Sequence, residues 1–175
     1  MGHYRQACTV FEDTLIRSRR VLGEDHVFTL RSANYFAAGL RSLGHYHQSH
    51  IIDDDTLARR RRVLGEDHPD TLYSAGNLAA DLRKLGHHRQ ARALDEDTLE
   101  RRRCTLGDDH PDTFYSASNL AADLRGLGEH DQARTFDEDT LARRRRILGD
   151  DHPDTLYSAA DVSADLRGPG EQRGE

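Results

Sequence analysis

The ten residues LGEDHPDTLY, at positions 64–73, decide the architecture of this chain because they recur four times, with small changes, at one fixed interval. Their histidine recurs every 42 residues, at His26, His68, His110 and His152. A period between about 20 and 50 residues is typical of a repeat array, in which each unit buries its apolar face against its neighbours. The sequence therefore predicts a repeat protein that carries its chemically active residue types in rows, which disfavours a catalytic cleft.

The composition excludes several classes of protein. The 175 residues carry a formal net charge of −6, with 32% charged and 35% hydrophobic residues. No window approaches the eighteen or so apolar residues of a membrane span, and no signal-peptide core follows Met1. We therefore expect no membrane partner. The use of arginine almost to the exclusion of lysine, with Lys84 as the one lysine, is typical of a GC-rich bacterial gene.

The two cysteines indicate the redox state of the compartment in which the protein resides. The chain has two, Cys8 and Cys104, and Cys104 occupies the position that Arg62 and Arg146 hold in other repeats. We therefore expect Cys104 to be exposed and unpaired, which fits a reducing, cytoplasmic location.

Within one repeat the pattern predicts two helices. Pro69 suits the first turn of a helix, apolar or small residues then recur with the helical period, and Gly86 ends the helix. We name this helix A. The second, helix B, runs from about His87 to Leu106 and is ended by Gly107. Because the connections are short, we expect the two helices to be antiparallel neighbours.

The array begins on a helix B and ends on a helix A. The pattern predicts about eight helices in one array over residues 1–168: a lone helix B over 3–22, complete pairs over 27–65, 69–107 and 111–149, and a lone helix A over 153–168. Residues 169–175 are expected to be a flexible tail. No polar capping helix is evident at either end, although repeat arrays need such caps for solubility. Either the chain is a piece of a longer array, or its terminal helices pair with another copy.

Three features of each full repeat match a known family. They are the core Asn77-Leu78-Ala79, the turn at Gly86 followed by Ala91 in helix B, and an arginine-rich helix end that runs into Leu-Gly-Asp/Glu-Asp-His-Pro. In these features the chain resembles the tetratricopeptide repeat, in the 42-residue form of kinesin light chain and many bacterial repeat proteins. The resemblance implies an all-α fold, a right-handed α-solenoid of antiparallel helix pairs in a tetratricopeptide-like superhelix, with helix A lining the concave side.

The helix A face opposite the apolar stripe is the predicted peptide-binding groove. Tyrosine offers a large contact area at low entropy cost, and asparagine can both donate to and accept from a peptide bond. The alternative is that these residues merely bridge adjacent repeats. The predicted groove residues are Arg31, Asn34, Tyr35, Tyr73, Asn77, Lys84, Tyr115, Asn119, Tyr157 and Asp161.

These observations favour a non-enzymatic scaffold that binds a protein or peptide partner. The alternative is a structural self-association module that forms dimers or superhelical assemblies through its terminal helices. A third reading is a regulatory array from a larger signalling protein, because similar bacterial repeats often follow an NTPase domain.

Metal and cofactor sites are not expected. The repeated histidines should lie about 10 Å apart, the usual spacing of packed helices, whereas zinc needs three or four ligands converging at about 2 Å. We expect them to have a structural role in the loop before helix A. The local pairs His45/His47 and His87/His88 lack a matching third ligand.

The arginine runs at 59–62, 101–103 and 143–146 follow acidic triplets, so we expect them to be solvated and internally paired and to bind no nucleic acid. The acidic positions Asp53, Asp95 and Asp137 fall on the packed face of helix B, with an arginine seven residues later. A buried carboxylate must be paired, which predicts an aspartate–arginine ladder that fixes the register of neighbouring repeats. One carboxylate per repeat does not make an acid/base pair, and no nucleophile triad or phosphate loop is present, so we expect no enzyme activity.

Overall fold

A computed structural model describes the backbone of residues 2–167 and the side chains of residues 5–163. That part of the chain forms eight α-helices and no β-strand, which confirms the all-α class. The predicted tail, residues 169–175, lies outside the described residues. The helices are α1 (Gly2–Leu22), α2 (Val27–Ser42), α3 (Tyr46–Leu64), α4 (Pro69–Lys84), α5 (His88–Leu106), α6 (Pro111–Gly126), α7 (His130–Leu148) and α8 (Pro153–Arg167).

The helices alternate between the two predicted types, and their ends fall within a residue or two of the expected ones. Helix B is represented by α1, α3, α5 and α7, and helix A by α2, α4, α6 and α8. The chain divides inside α5, between Leu94 and Asp95, into two compact units. That residues 1–168 form one continuous array therefore stays a prediction.

Each unit has its own hydrophobic core, built from leucine and alanine. In the first unit the core joins α3, α4 and the start of α5, and in the second it joins the rest of α5 with α6 and α7. Alanines with no exposed surface lie at the helix contacts, and small side chains let packed helices approach closely. The core members are Leu57, Ala75, Leu78, Ala79, Leu82 and Ala91, with Leu94 packed against them, and Leu99, Ala117, Leu120, Ala121, Leu124 and Ala133, with Phe136 packed against them.

The repeated histidines cap helix A. The Nδ1 atom of His68 accepts a hydrogen bond of 3.1 Å from the backbone N–H of Asp70, and His26, His110 and His152 accept the corresponding bond at 3.1–3.2 Å. The first turn of a helix has N–H groups without an intrahelical acceptor, and a side-chain cap supplies one. The structure thus gives these histidines the structural role predicted from the sequence.

Glycine ends helix B because the backbone turns there through a conformation that other residues avoid. Gly65 has φ 91° and ψ 165°, and Gly149 has φ 89° and ψ 166°. A Cβ atom at either position would meet no other atom within 4 Å. Backbone strain and not crowding therefore selects glycine.

We predict that Gly65→Ala lowers the free energy of unfolding by about 1–3 kcal/mol, the cost of holding a non-glycine residue in this region. Chemical denaturation followed by circular dichroism measures the change. Gly126→Ala is the matched control, because Gly126 lies within α6 and keeps a negative φ. Equal stability of Gly65→Ala and the parent chain would contradict the strain argument.

None of the helices in the described residues combines the length and the apolar character needed to cross a membrane.

Candidate functional site

Tyrosines stand out on the surface of helix A. Tyr73 in the first unit and Tyr115 and Tyr157 in the second hold the same repeat position, and 49%, 52% and 65% of their surfaces are exposed. Tyr35, one helical turn further along its repeat, is 50% exposed and lies 5.9 Å from the Phe11 ring, centroid to centroid. Each of these tyrosines therefore keeps about half of its surface or more exposed to solvent.

Polar groups accompany the tyrosines. Asn77 follows Tyr73 by one turn and is half-buried, and Asn119 and Asp161 hold the same position in the second unit and are also half-buried. The cations of the predicted groove, Arg31 and Lys84, are exposed and belong to the first unit.

Arg31 lies at the beginning of this face. Its guanidinium carbon is 4.7 Å from the centroid of the Phe28 ring, within the range of a cation–π contact. Phe28 is itself half-exposed and stacks on His26, with ring centroids 5.6 Å apart. The aromatic ring thus holds the arginine in place while its charge stays in solvent.

Asn34 does not belong to the surface, which corrects its assignment to the groove. It is 4% exposed, donates to Asp53 Oδ1 at 2.8 Å and accepts from Ser74 Oγ at 3.1 Å. Asn34 therefore links α2 to both α3 and α4, which is the bridging role weighed as the alternative for the asparagines. A ligand could reach it only by breaking these bonds.

The predicted buried carboxylates are present, but their partners differ from the predicted ones. Asp53 is fully buried and accepts from Arg41 Nη2 at 2.5 Å, while Arg41 Nε donates to Asp81 Oδ1 at 2.6 Å. Ser49 donates to the second oxygen of Asp81 at 2.7 Å. Arg41 is on helix A, so the pairing runs between helices.

The arginines seven residues after these aspartates were expected to pair with them, but they bind the following helix A. Arg60 Nη1 donates to the backbone carbonyl of Asp70 at 2.7 Å and to Ser74 Oγ at 2.8 Å. Two residues seven apart are separated by about 10 Å along a helix, so Arg60 turns to the next helix and not to Asp53. Arg102 and Arg144 make the same two bonds in the second unit. The predicted role in fixing the register of neighbouring repeats fits these arginines, whereas the predicted aspartate pairing was wrong.

The second unit repeats the aspartate–arginine contact. Arg125 donates to Asp137 Oδ2 through Nη1 at 3.0 Å and through Nη2 at 2.8 Å, and Asp123, the counterpart of Asp81, is fully buried. Sequence reasoning missed Arg41, Arg125 and the helix A aspartates. The available signal was the recurrence of Ala-Ala-Asp-Leu-Arg, which places a carboxylate beside the apolar stripe of helix A.

Burial raises the pKa of the Asp53 carboxyl to about 7. Removal from water is the largest cause, and the nearby Asp81 carboxylate adds to it, while Arg41 and the amide of Asn34 act in the opposite direction. One guanidinium faces two buried carboxylates here, so the cluster takes up a proton well above the pH at which a free aspartate does.

The arginine runs are otherwise paired at the surface, as predicted. Arg59 contacts Asp55 and Asp25, and Arg62 also contacts Asp25. Hydrogen bonds from Arg59, together with Arg62, hold the pKa of the Asp25 carboxyl below its ordinary value. Asp109 has the same position relative to Arg146 and Arg143 in the second unit.

No three side chains of the histidine, cysteine, aspartate or glutamate type converge on a metal-sized site within the described residues. Cys104 is exposed and Cys8 is buried, and both are free thiols.

We predict that Arg41→Met destabilises the chain by about 3–5 kcal/mol, because it leaves two buried carboxylates without their cation. Arg62→Met is the control, since Arg62 makes an exposed ion pair and its loss should cost less than about 1 kcal/mol. Denaturant titration of both variants measures the difference. Similar decreases in the free energy of unfolding of the two variants would show that the buried contact stabilises the chain no more than the exposed ion pair does.

The raised pKa of Asp53 predicts that its contribution to stability falls as pH rises. Between the ordinary aspartate pKa and about 7 the folded state holds a proton that the unfolded state has lost, so the free energy of unfolding declines across that interval and levels off above it. Asp53→Asn carries no titrating group and should show a flatter dependence. Denaturant titrations from pH 4.5 to pH 8 compare the two chains, and parallel curves would contradict the prediction.

A scan against protein-family models matches the chain to the tetratricopeptide repeat over residues 1–27, 29–70, 71–112 and 113–154. Two crystal structures of the kinesin-light-chain-type TPR-like repeats of Podosopora anserina superpose with TM-scores of 0.83 and 0.81; both are 22% identical, and the match covers 98% of this chain and 81% of theirs. BtubC (BKLC) from P. vanneervenii has a TM-score of 0.77 at 14% identity, over 94% of this chain and 66% of its own. No curated protein has significant sequence similarity to this chain.

The identities to the solved structures are low enough that they establish the fold alone, whereas the family match covers most of the chain. The last three matched segments begin at residues 29, 71 and 113, which is the 42-residue interval seen in the sequence. Tetratricopeptide repeats are generally scaffolds for protein–protein interaction. This chain belongs to the tetratricopeptide repeat family.

Proposed function

We propose that this chain is a non-enzymatic scaffold that binds an extended or helical segment of a partner protein on its helix A surfaces. The surface of the first unit consists of Arg31, Tyr35, Tyr73, Asn77 and Lys84. The surface of the second unit consists of Tyr115, Asn119, Tyr157 and Asp161. Asn34 is left out because it is buried. The family resemblance assigns the helix A side to the concave face of the array.

The half-exposed tyrosine at one repeat position carries the proposal. The same position of three successive repeats is a tyrosine, at Tyr73, Tyr115 and Tyr157. About half or more of the surface of each is exposed to solvent. Tyrosine loses little side-chain entropy when it is immobilised, and its hydroxyl can bond to a main-chain group while the ring packs on an apolar side chain. Such residues are common among the anchors of protein interfaces.

Small neighbours leave room for a partner's backbone. Ala80 lies between Asn77 and Lys84 on α4, and Ala122 has the corresponding place on α6. A main chain that approached over an alanine would bring its peptide groups within reach of the asparagine one turn earlier. The amide of asparagine offers both a donor and an acceptor, which is the pair that a peptide bond requires.

The two surfaces differ in charge, which implies a preference. Arg31 and Lys84 flank the tyrosines of the first unit, whereas Asp161 follows Tyr157 in the second. We therefore expect the first unit to favour a segment with acidic residues at its ends. Charges of opposite sign on the two partners at the rim of an interface mainly raise the association rate and fix how the partners align.

Selection of a displayed random-peptide library on the purified chain, followed by calorimetric titration of the selected peptides, tests the proposal. We predict that Tyr73→Ala, or Tyr115→Ala together with Tyr157→Ala, weakens binding of a peptide held by that unit at least about tenfold, the effect of losing one anchor residue. The circular dichroism spectrum should not change, because these rings lie at the surface.

Helix B supplies matched controls. Val63 in the first unit and Ile147 in the second are exposed to a similar degree as the tyrosines but lie on α3 and α7. Val63→Ala and Ile147→Ala should leave the affinity unchanged. Peptides that lose affinity with the helix B variants and keep it with the tyrosine variants would move the site to helix B and refute the proposal.

A further inference from the structure

A cleft of about 720 Å³ opens in the first unit, between the walls formed by α1 and α3 and above α2. This volume lies within the range of roughly 300–1,000 Å³ that is usual for binding sites. Its floor is apolar and is formed by Cys8 of α1, Leu40 and Leu43 of α2, and Ile52 of α3. We call it the Cys8 cleft. None of the residues of the proposed peptide surface lines it.

The small side chain of Cys8 leaves space in this cleft. The same repeat position is held by His50, Arg92 and Arg134, and all three are half-buried. A thiol is much shorter than an imidazole or a guanidinium group, so it leaves room that those side chains would take up. Cys8 is itself only 7% exposed, because it packs closely against Gly39 of α2.

The face of α1 that lines the cleft is one that helix B turns to solvent. Helix α3 packs against a helix A on both sides, α2 and α4. Its residues at the positions of Arg5, Thr9 and Glu12 are nevertheless exposed, and they are His47, Ile51 and Asp54. The cleft is therefore open at a face that no helix A covers in the repeat.

The α1 wall of the cleft carries charges of opposite sign. Arg5, Cys8 and Glu12 follow one another at helical spacing along one stripe of α1, and both charged residues are exposed. Glu12 is near enough to the thiol that its charge, after burial, raises the pKa of Cys8. Because α-helices rise about 1.5 Å per residue, Arg5 and Glu12 are about 10 Å apart along the helix. An apolar centre thus lies between a cation and an anion.

We propose that the Cys8 cleft binds two turns of an amphipathic helix of a partner protein. An aliphatic side chain of that helix packs over Cys8, an acidic residue faces Arg5 and a basic residue faces Glu12. The charge complementarity fixes these three residue types. The partner then carries them on one face at positions i, i+4 and i+7, the spacing with which helices bind in grooves.

The length of the cleft favours a helix over an extended segment. Successive side chains of a strand point to opposite faces, and residues on one face are about 7 Å apart. Three residues of a strand on one face therefore span about 13 Å, whereas two turns of a helix present three on one face within about 10 Å. The helix matches the distance between Arg5 and Glu12.

A displayed library of helical peptides, selected on the parent chain and depleted on the Cys8→Arg variant, tests the proposal. Cys8→Arg introduces the residue found at Arg92 and Arg134, so circular dichroism should show unchanged helicity. The surviving peptides should carry acidic, aliphatic and basic residues at the stated spacing, in either direction. Calorimetry should show that Cys8→Arg weakens their binding at least about tenfold, the effect of losing one anchor contact.

Two variants at exposed positions test the cleft without touching the core. Ile51 lies at the rim and is 68% exposed, and Ile51→Asn should weaken binding about fourfold, the value of one buried CH₂ group. Arg5→Glu should favour peptides in which the acidic residue is replaced by a basic one, by roughly two- to fivefold, the effect of an exposed ion pair. Tyr73→Ala is the control and should leave the affinity unchanged, which separates this site from the proposed peptide surface.

The two cysteines give a readout of the position of the peptide. A bound peptide should slow the alkylation of Cys8 by iodoacetamide, measured by mass spectrometry, while the exposed Cys104 reacts at an unchanged rate. The absence of peptides that survive depletion, survivors without the three-residue pattern, or an unprotected Cys8 would overturn the proposal. Equal affinity for the parent chain and for Ile51→Asn would also overturn it.

Discussion

The contact of helix A with helix B through alanine is the constraint on which the rest of the structure depends. Ala79, Ala91, Ala121 and Ala133 have no exposed surface, and the leucines around them form one core in each unit. Helices that meet through such small side chains lie close together. We call the line of contact between two such helices a seam. An apolar residue along a seam must fit the space between the helices, and a polar residue must find a hydrogen-bond partner on the adjacent helix. Apolar residues gain from this by leaving water, at roughly 25 cal/mol for each Å² buried.

The buried polar groups follow from the same closeness. Asp53 lies inside the seam, where its own helix offers no cation within reach, and Arg41 on the neighbouring helix reaches it and Asp81 together. Ser49 and Asn34 satisfy the remaining oxygen atoms. These bonds join three successive helices of the first unit, and they connect helices in one register only, because a shift by one residue would separate each donor from its acceptor. The cost of this arrangement is a cluster whose protonation depends on pH near neutrality.

A partner can contact only the surface that lies outside the helix–helix contacts. The seams take one stripe of each helix, and the tyrosines lie outside that stripe in both units, where they are free to contact another molecule. The half-exposed tyrosines of the helix A surfaces are therefore the candidates for contact with a partner segment.

The sequence by itself determined the helices and their order. The 42-residue period, Pro69 and Pro111 at helix starts and the glycines at helix ends are local signals, and local backbone preferences decide where a helix begins and ends. A structural role of the histidines in the loop before helix A and the outward position of Tyr73, Tyr115 and Tyr157 were predicted from the same repeat pattern, whereas the capping hydrogen bonds are seen only in the structure. The sequence could not say which arginine meets Asp53, because the partner comes from a different helix and spacing along one helix carries no information about it. Only the tertiary structure placed Asn34 in the interior, since burial depends on which neighbouring helices cover a position and not on the residue at that position alone.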